Sequence, residues 1–293
     1  MRLAPRGSIV VGVDGSKQAD RAVDWAAEEA DRRRCRLHVI HANDIDWLVA
    51  ATLISTDDGP SADEIVAAAV DRSRRAFPSV EVTGQPTTGS AAHDLVAVSA
   101  QARLLVLGAH GTTPFHLPLG SVPQAVAAHA SCPVVVVHGH ETMGPEPQRP
   151  VVVGVDGSAS SLRAVDFAFD EAARRATRLV AVHSWWIEVV EGMVVTTPGS
   201  PQWQLAAERM HADVAESLAG HGERYPEVDV EMRLVNDHPV EALVSASGDA
   251  ALLVVGSRGH GGFAGLLLGS VSRGAMTRSS CPVAVVPATA RVE

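Results

Sequence analysis

Val254-Val255-Gly256-Ser257-Arg258-Gly259-His260-Gly261-Gly262, running on to Gly269-Ser270, is an apolar run, then a glycine-rich loop, then a serine at the head of a helix-compatible segment. Leu252 to Val255 reads as a buried strand. Glycine lets backbone N–H groups turn toward a ligand with no Cβ in the way. A helix start adds unpaired N–H donors and about half a positive charge. Together they make a phosphate cradle.

Working outward, the chain repeats itself. Ile9-Val10-Val11-Gly12-Val13-Asp14-Gly15-Ser16 returns as Val151-Val152-Val153-Gly154-Val155-Asp156-Gly157-Ser158, an offset of 156 − 14 = 142. Leu104 to Gly108 returns as Leu252 to Gly256 at 148, and Ser131-Cys132-Pro133-Val134 as Ser280-Cys281-Pro282-Val283 at 149. A period near 145 residues means two tandem domains rather than a short-repeat solenoid. The expected domains are 1–140 and 150–293, joined by the Gly- and Pro-punctuated stretch around 138–150. In each copy short apolar runs alternate with helical segments, the pattern of parallel βαβ units. Strand two is expected to end at His41 or His183. Strand three should be short, near Val80–Val82 and Val228–Val230. The segments 43–60 and 185–203 are variable, and helices are expected near 61–76 and 204–221. Ligands are expected at the carboxyl ends of the strands.

Gly256-x-x-Gly259, nine residues, Gly269-Ser270, together with a first strand ending Gly-Val-Asp-Gly-Ser, resembles the universal stress protein family, once per half and over nearly the whole chain. The resemblance implies two tandem α/β domains, each a doubly wound, Rossmann-like parallel sheet of strand order 3-2-1-4-5. It implies ATP over the ends of strands one and four, with Mg2+ as an allowed companion. Carried onto this chain, Gly154, Val155 and Asp156 lie beside the adenosine. Val255, Gly256, Ser257, Arg258, Gly259, His260 and Gly261 wrap ribose and phosphates, while Gly269, Ser270 and Val271 supply amides and a hydroxyl. The first-copy counterparts are Gly12, Val13, Asp14, Gly108, His110, Gly111, Gly120, Ser121 and Val122. The resemblance also implies pairing through the fifth strands, Val134–Val137 and Val283–Val286, and hence a homodimer.

The first copy departs from the signature. Eight residues, including Pro114 and Pro118, separate Gly111 from Gly120, and His110 stands where the second copy has Arg258. Proline lacks an N–H and stiffens the loop. The second domain is therefore expected to hold ATP tightly, and the first to be weaker, adenosine-only or empty.

Other residues have plain structural readings. Ser270 suits an N-cap and Asp156 an Asx-turn before Gly157. His41 and His183 read as satisfied histidines, and Cys132 and Cys281 as buried structural thiols. Trp185-Trp186 reads as wall packing, with base stacking as the alternative.

Composition narrows the function. The net charge is 24 − 34 = −10, which excludes a basic nucleic-acid footprint. Three cysteines with no C-x-x-C pair argue against a disulfide framework and suit a reducing cytoplasm. No run of ~18 uncharged apolar residues exists, so no membrane span is expected. The single lysine, Lys17, lacks Walker A spacing, and no zinc spacing or G-x-S-x-G elbow appears. The reading is an ATP-binding regulator of a stress response, its protein partner unspecified. A slow ATPase or adenylate-transferring enzyme, and an interaction protein with a degenerate pocket, stay open as alternatives. No carboxylate in the loop suits a general base; only His260 is there.

Overall fold

The computed structural model describes residues 4–43, 60–111, 119–139, 149–185, 188–190, 193–195, 200–259 and 267–288. The chain divides into two compact units, Met1–Gly139 and His140–Glu293.

The first unit runs β1 (Ile9–Gly12), α1 (Lys17–Arg32), β2 (Leu37–Asn43), α2 (Ala62–Ala76), β3 (Val82–Thr88), α3 (Ala91–Ser99), β4 (Leu104–Gly108), α4 (Ser121–His129) and β5 (Val134–Val137). All pairings are parallel. β1 lies between β2 (Ile9 opposite Leu37) and β4 (Ile9 opposite Leu104), β3 flanks β2, and β5 flanks β4. The order is 3-2-1-4-5. Ile9, Val10 and Val11 are wholly buried, as a strand covered on both faces requires, so its sequence is an unbroken apolar run. The α1 helix begins where Ser16 accepts the amide of Ala19 (3.1 Å). It lays Ala22, Ala26 and Ala30, all fully buried, against the sheet. Small side chains at this spacing let the helix sit close.

The second unit repeats the plan with β6 (Val151–Gly154), α5 (Ala159–Arg175), β7 (Leu179–Trp185), α6 (Pro201–Leu218), a one-turn α7 (His221–Arg224), β10 (Val230–Asn236), α8 (Pro239–Ala246), β11 (Leu252–Gly256), α9 (Ser270–Arg278) and β12 (Val283–Val286). Its order, β10-β7-β6-β11-β12, is again 3-2-1-4-5, all parallel. The doubly wound fold expected from the sequence is the one observed, twice.

Three expectations need correction. Strand three does not stop at Val82 or Val230 but starts there and runs seven residues. In β3 the interruptions Gly84 and Pro86 hide it from an apolar count. Pro86 is tolerated because β3 is outermost in its unit's sheet, where a missing N–H breaks no ladder bond. The second strands pass His41 and His183 and end at Asn43 and Trp185. Within the 185–203 segment, β8 (Glu188–Val190) and β9 (Met193–Val195) form an antiparallel pair, and α6 starts at Pro201, three residues earlier than read. Most of 43–60, and 140–148 of the linker, lie outside the described residues.

Candidate functional site

In both units β1-type and β4-type strands lie side by side, so their carboxyl ends open onto the same spot. In the first unit Asp14 accepts the amide of Ser16 through Oδ1 (3.0 Å), an Asx-turn that Gly15 completes at φ +79°. The second unit repeats it with Asp156, Ser158 (2.9 Å) and Gly157 at φ +75°. The turn leaves the other carboxylate oxygen facing the glycine loop. A Cβ on Gly111 would collide with Asp14 Oδ2, and one on Gly259 with Asp156 Oδ2. So a side chain at the second glycine of each loop would displace the carboxylate of strand one.

The first glycine of each loop has a different reason. At Gly256 a Cβ would lie 2.7–3.0 Å from Ser160, and at Gly108 about 3.1 Å from Gln18. Strand four here runs over the first turn of the helix that follows strand one, too close for a Cβ at Gly256 and tight for one at Gly108. Gly256 and Gly108 are packing glycines as well as loop glycines.

The third glycine is different again. The Gly120 amide donates to the Ala109 carbonyl and the Gly269 amide to the Ser257 carbonyl, 2.8 Å each. Gly269 has φ −73°, ψ 158°, open to any residue. A Cβ there would meet its neighbours at ordinary distances of 3.4–3.5 Å. Among the described residues nothing demands glycine here. The structure also corrects the reading of Ser270: the N-cap of α9 is Gly269, and of α4 Gly120, with no side chain capping either helix. Ser270 and Ser121 are first helical residues, exposed. Among the described residues no side chain caps the opening amides of either helix, as an anion site needs.

The expected residues of the first copy come together. Gly12, Val13, Asp14, Gly108, His110, Gly111, Gly120, Ser121 and Val122 all line one cavity of about 290 Å³. That is near the lower end of the ~300–1,000 Å³ usual for small-molecule pockets. The sequence reading missed Ile40, Ala42, Ala91, Leu95 and Pro123, which line it too. Alanine at the end of strand two and at the head of α3, where Leu fits one turn later, was the available signal. In the second unit Gly154, Val155, Asp156, Val255, Gly256, Ser257, Arg258, Gly259, Gly269, Ser270 and Val271 occupy the same strand ends and helix start. His260 and Gly261, like Pro114 and Pro118, lie outside the described residues. The Arg258 side chain is exposed, while its carbonyl accepts the Ser160 hydroxyl.

Neighbouring groups are accounted for. The Val13 amide donates to Ile40 and the Val155 amide to Val182 (2.9 Å each). Their carbonyls accept Nδ1–H of His41 (2.8 Å) and His183 (2.7 Å). These histidines brace strand one, so Val13 and Val155 offer a ligand their side chains and a second carbonyl lone pair, not an N–H. Trp185 meets Trp203 in a tilted contact (4.2 Å between centroids, 55° between planes) and packs with Met210 and Leu234; Trp186 lies outside the described residues. Burial pushes the Cys132 thiol up to about 12 and the Cys281 thiol up to about 11, which makes both inert at neutral pH. Among the described residues no group of His, Cys, Asp and Glu could hold a metal by itself. No helix among them is long and apolar enough to cross a membrane.

Fold and site together define a class: duplicated doubly wound α/β units, each carrying a glycine cradle at a strand-one/strand-four junction. The universal stress protein family model matches residues 5–138 and again 148–287. The chain belongs to that family, as a tandem of two such domains. Universal stress protein Rv2005c of Mycobacterium tuberculosis is 38% identical over 94% of this chain and 96% of its own length. Universal stress protein Rv2623 of the same organism is 39% identical over 94% and 95%. Among solved structures, a universal stress protein from Archaeoglobus fulgidus superposes with TM-score 0.67 at 18% identity, covering 96% of this chain and 98% of that one. A universal stress protein solved in complex with cAMP matches 48% of this chain and 97% of its own at 34% identity, TM-score 0.36.

Proposed function

We propose that this protein is an adenine-nucleotide-binding regulator, with its tight ATP site in the second unit. The observation that carries the reading is the third glycine. At Gly269 neither backbone angle nor packing against the described residues requires glycine, yet it precedes a helix start that no described side chain caps, beside the Arg258 loop. Space kept clear of a Cβ in front of free amides suits a phosphate. Ser270 adds a hydroxyl, and Arg258 a planar cationic fork. Asp156 suits the ribose hydroxyls and could add a carboxylate to Mg2+, which is held chiefly through phosphates. Occupancy would set conformation or partner choice in a stress response, in a reducing cytoplasm that suits the three free thiols. Self-association to a homodimer through the apolar fifth strands belongs to the same reading.

The direct test is to denature purified protein and to identify and count the nucleotide released. ATP near one equivalent per chain, absent from Gly269→Glu, supports the reading. Stoichiometric release from Gly269→Glu would show that the cradle is misassigned. Steady-state phosphate release by the same preparation separates a binder from a slow ATPase.

A further inference from the structure

We propose that the first unit's cavity is built for an uncharged nucleoside, so that the two halves take different ligand classes. This rests on the adenine-nucleotide reading and divides it between the units.

The charges differ first. Among the described residues lining the first-unit cavity, the titratable ones are Asp14 and His110, with no lysine or arginine. The second unit has an aspartate at the same place, Asp156, but Arg258 where the first has His110 and Arg273 where the first has Gln124. Asp14 accepts hydroxyl donors and repels phosphate. With no guanidinium among the described residues that line the cavity, the balance favours a ribose over a polyphosphate.

The donors differ too. Pro123, the third residue of α4, is buried and lines the cavity; its counterpart is Ser272. Proline removes one amide from the helix start that would hold phosphate.

The far wall explains what remains. Ile40, Ala42, Ala91, Leu95 and Leu107 form an apolar slot suited to a flat ring. Thr87 is the register partner of Ala42, and partners on adjacent parallel strands project to the same sheet face. The pair His38 and Thr83, bonded at 2.8 Å, confirms this for the strand. The Thr87 hydroxyl oxygen is buried with no hydrogen-bond partner. A buried orphan of this kind calls for a partner, and it lies on the strand beside Ala42 rather than among the cavity's lining residues. An apolar slot and a carboxylate at its mouth match a base and a ribose.

The test is calorimetry on the full-length, nucleotide-stripped chain with adenosine and, separately, ATP. Adenosine should bind Gly269→Glu. Adding Ala42→Leu, which fills the slot, should weaken that binding at least tenfold, the scale of one lost ~1.4 kcal/mol contact. Ala42→Leu alone should keep the second-unit ATP equivalent, which also reports that the variant is folded. In the Gly269→Glu background, His110→Arg with Gln124→Arg should raise ATP affinity by roughly 10-fold or more, as new charge-assisted bonds do. Adenosine binding undiminished by Ala42→Leu, or two equal ATP sites in the wild type, would overturn the proposal while leaving the ATP reading intact. Wild type that binds neither ligand would overturn both.

Discussion

At the scale of single residues, the three glycines of one motif do three different jobs, and substitution should separate them. Gly256→Ala puts a Cβ 2.7–2.8 Å from Ser160, which overpacking data place at about 1–3 kcal/mol of lost stability. Gly269→Ala meets nothing closer than 3.4 Å and should leave the urea midpoint nearly unchanged while ATP affinity falls about tenfold or more. If calorimetry finds Gly269→Ala binding as wild type does, the cleared space serves something other than phosphate. His38 makes a second case. It is 5% exposed, its Nδ1 is bonded to Thr83, and its Nε2 has no partner. Burial holds its pKa below the ordinary 6.5. The folded state therefore resists the proton that the unfolded chain takes up below about 6.5. Stability is lost as pH falls through that value, and the loss levels off below the folded pKa. The second copy carries Val180 at this position, and His38→Val should flatten the decline in urea-unfolding free energy between pH 7.5 and 5.5. An unchanged slope would assign the acid sensitivity to other groups.

At the scale of elements, the duplicated first helices each anchor their last turn with a buried ion pair. Glu171, 0% exposed, accepts Arg175 on the same carboxylate oxygen at 2.9 Å; Glu29, 1% exposed, takes Arg32 and Arg33. Removing one member of a buried pair costs on the order of 3 kcal/mol. Arg175→Ala should therefore lower the thermal midpoint of the second unit by several degrees. Arg36→Ala, whose partner Glu81 is 62% exposed, should change it far less. A shift as small for Arg175→Ala as for Arg36→Ala would make the buried pair dispensable. Glu29 stands three residues before Arg32 and four before Arg33, a helical pairing distance visible in the sequence. Elements with strong apolar periods, β1, β4 and their repeats, were legible at once. Strand three was not, because Gly84 and Pro86 break its apolar run; Gly84 stays bare because a Cβ there would meet Val66 at 2.6 Å. The β8–β9 pair, two three-residue strands, was below what periodicity can resolve. In the site, glycine spacing located the loop and helix start. The apolar slot went unread because Ala42, Ala91 and Leu95 carry no chemistry that marks them and meet only through the fold.

At the scale of the whole molecule, duplication followed by divergence predicts unequal response to ligand. A ligand that binds only the folded form stabilises its own unit by about 2.7 kcal/mol at a hundred times its Kd. Amide exchange reports that gain locally, since protection rises where opening becomes harder. The second unit keeps the full glycine spacing, Arg258 and Arg273; the first has a loop one residue shorter, His110 and Pro123. Two missing charge-assisted bonds at ~1.5–3 kcal/mol each separate the affinities by about two to four orders of magnitude. At ATP concentrations between the two dissociation constants, only the second site fills. ATP should then slow exchange at the ends of β6 and β11 and the first turn of α9, leaving β1, β4 and α4 as they were. Adenosine should slow exchange around the β1 and β4 ends and the head of α3. Light scattering on the same samples, read against a chain mass of 30.6 kDa, tests the homodimer and whether occupancy alters it. Equal ATP protection in both halves at sub-saturating ligand would show that the prolines and the lost arginines matter less than the shared aspartate and glycine-opened helix.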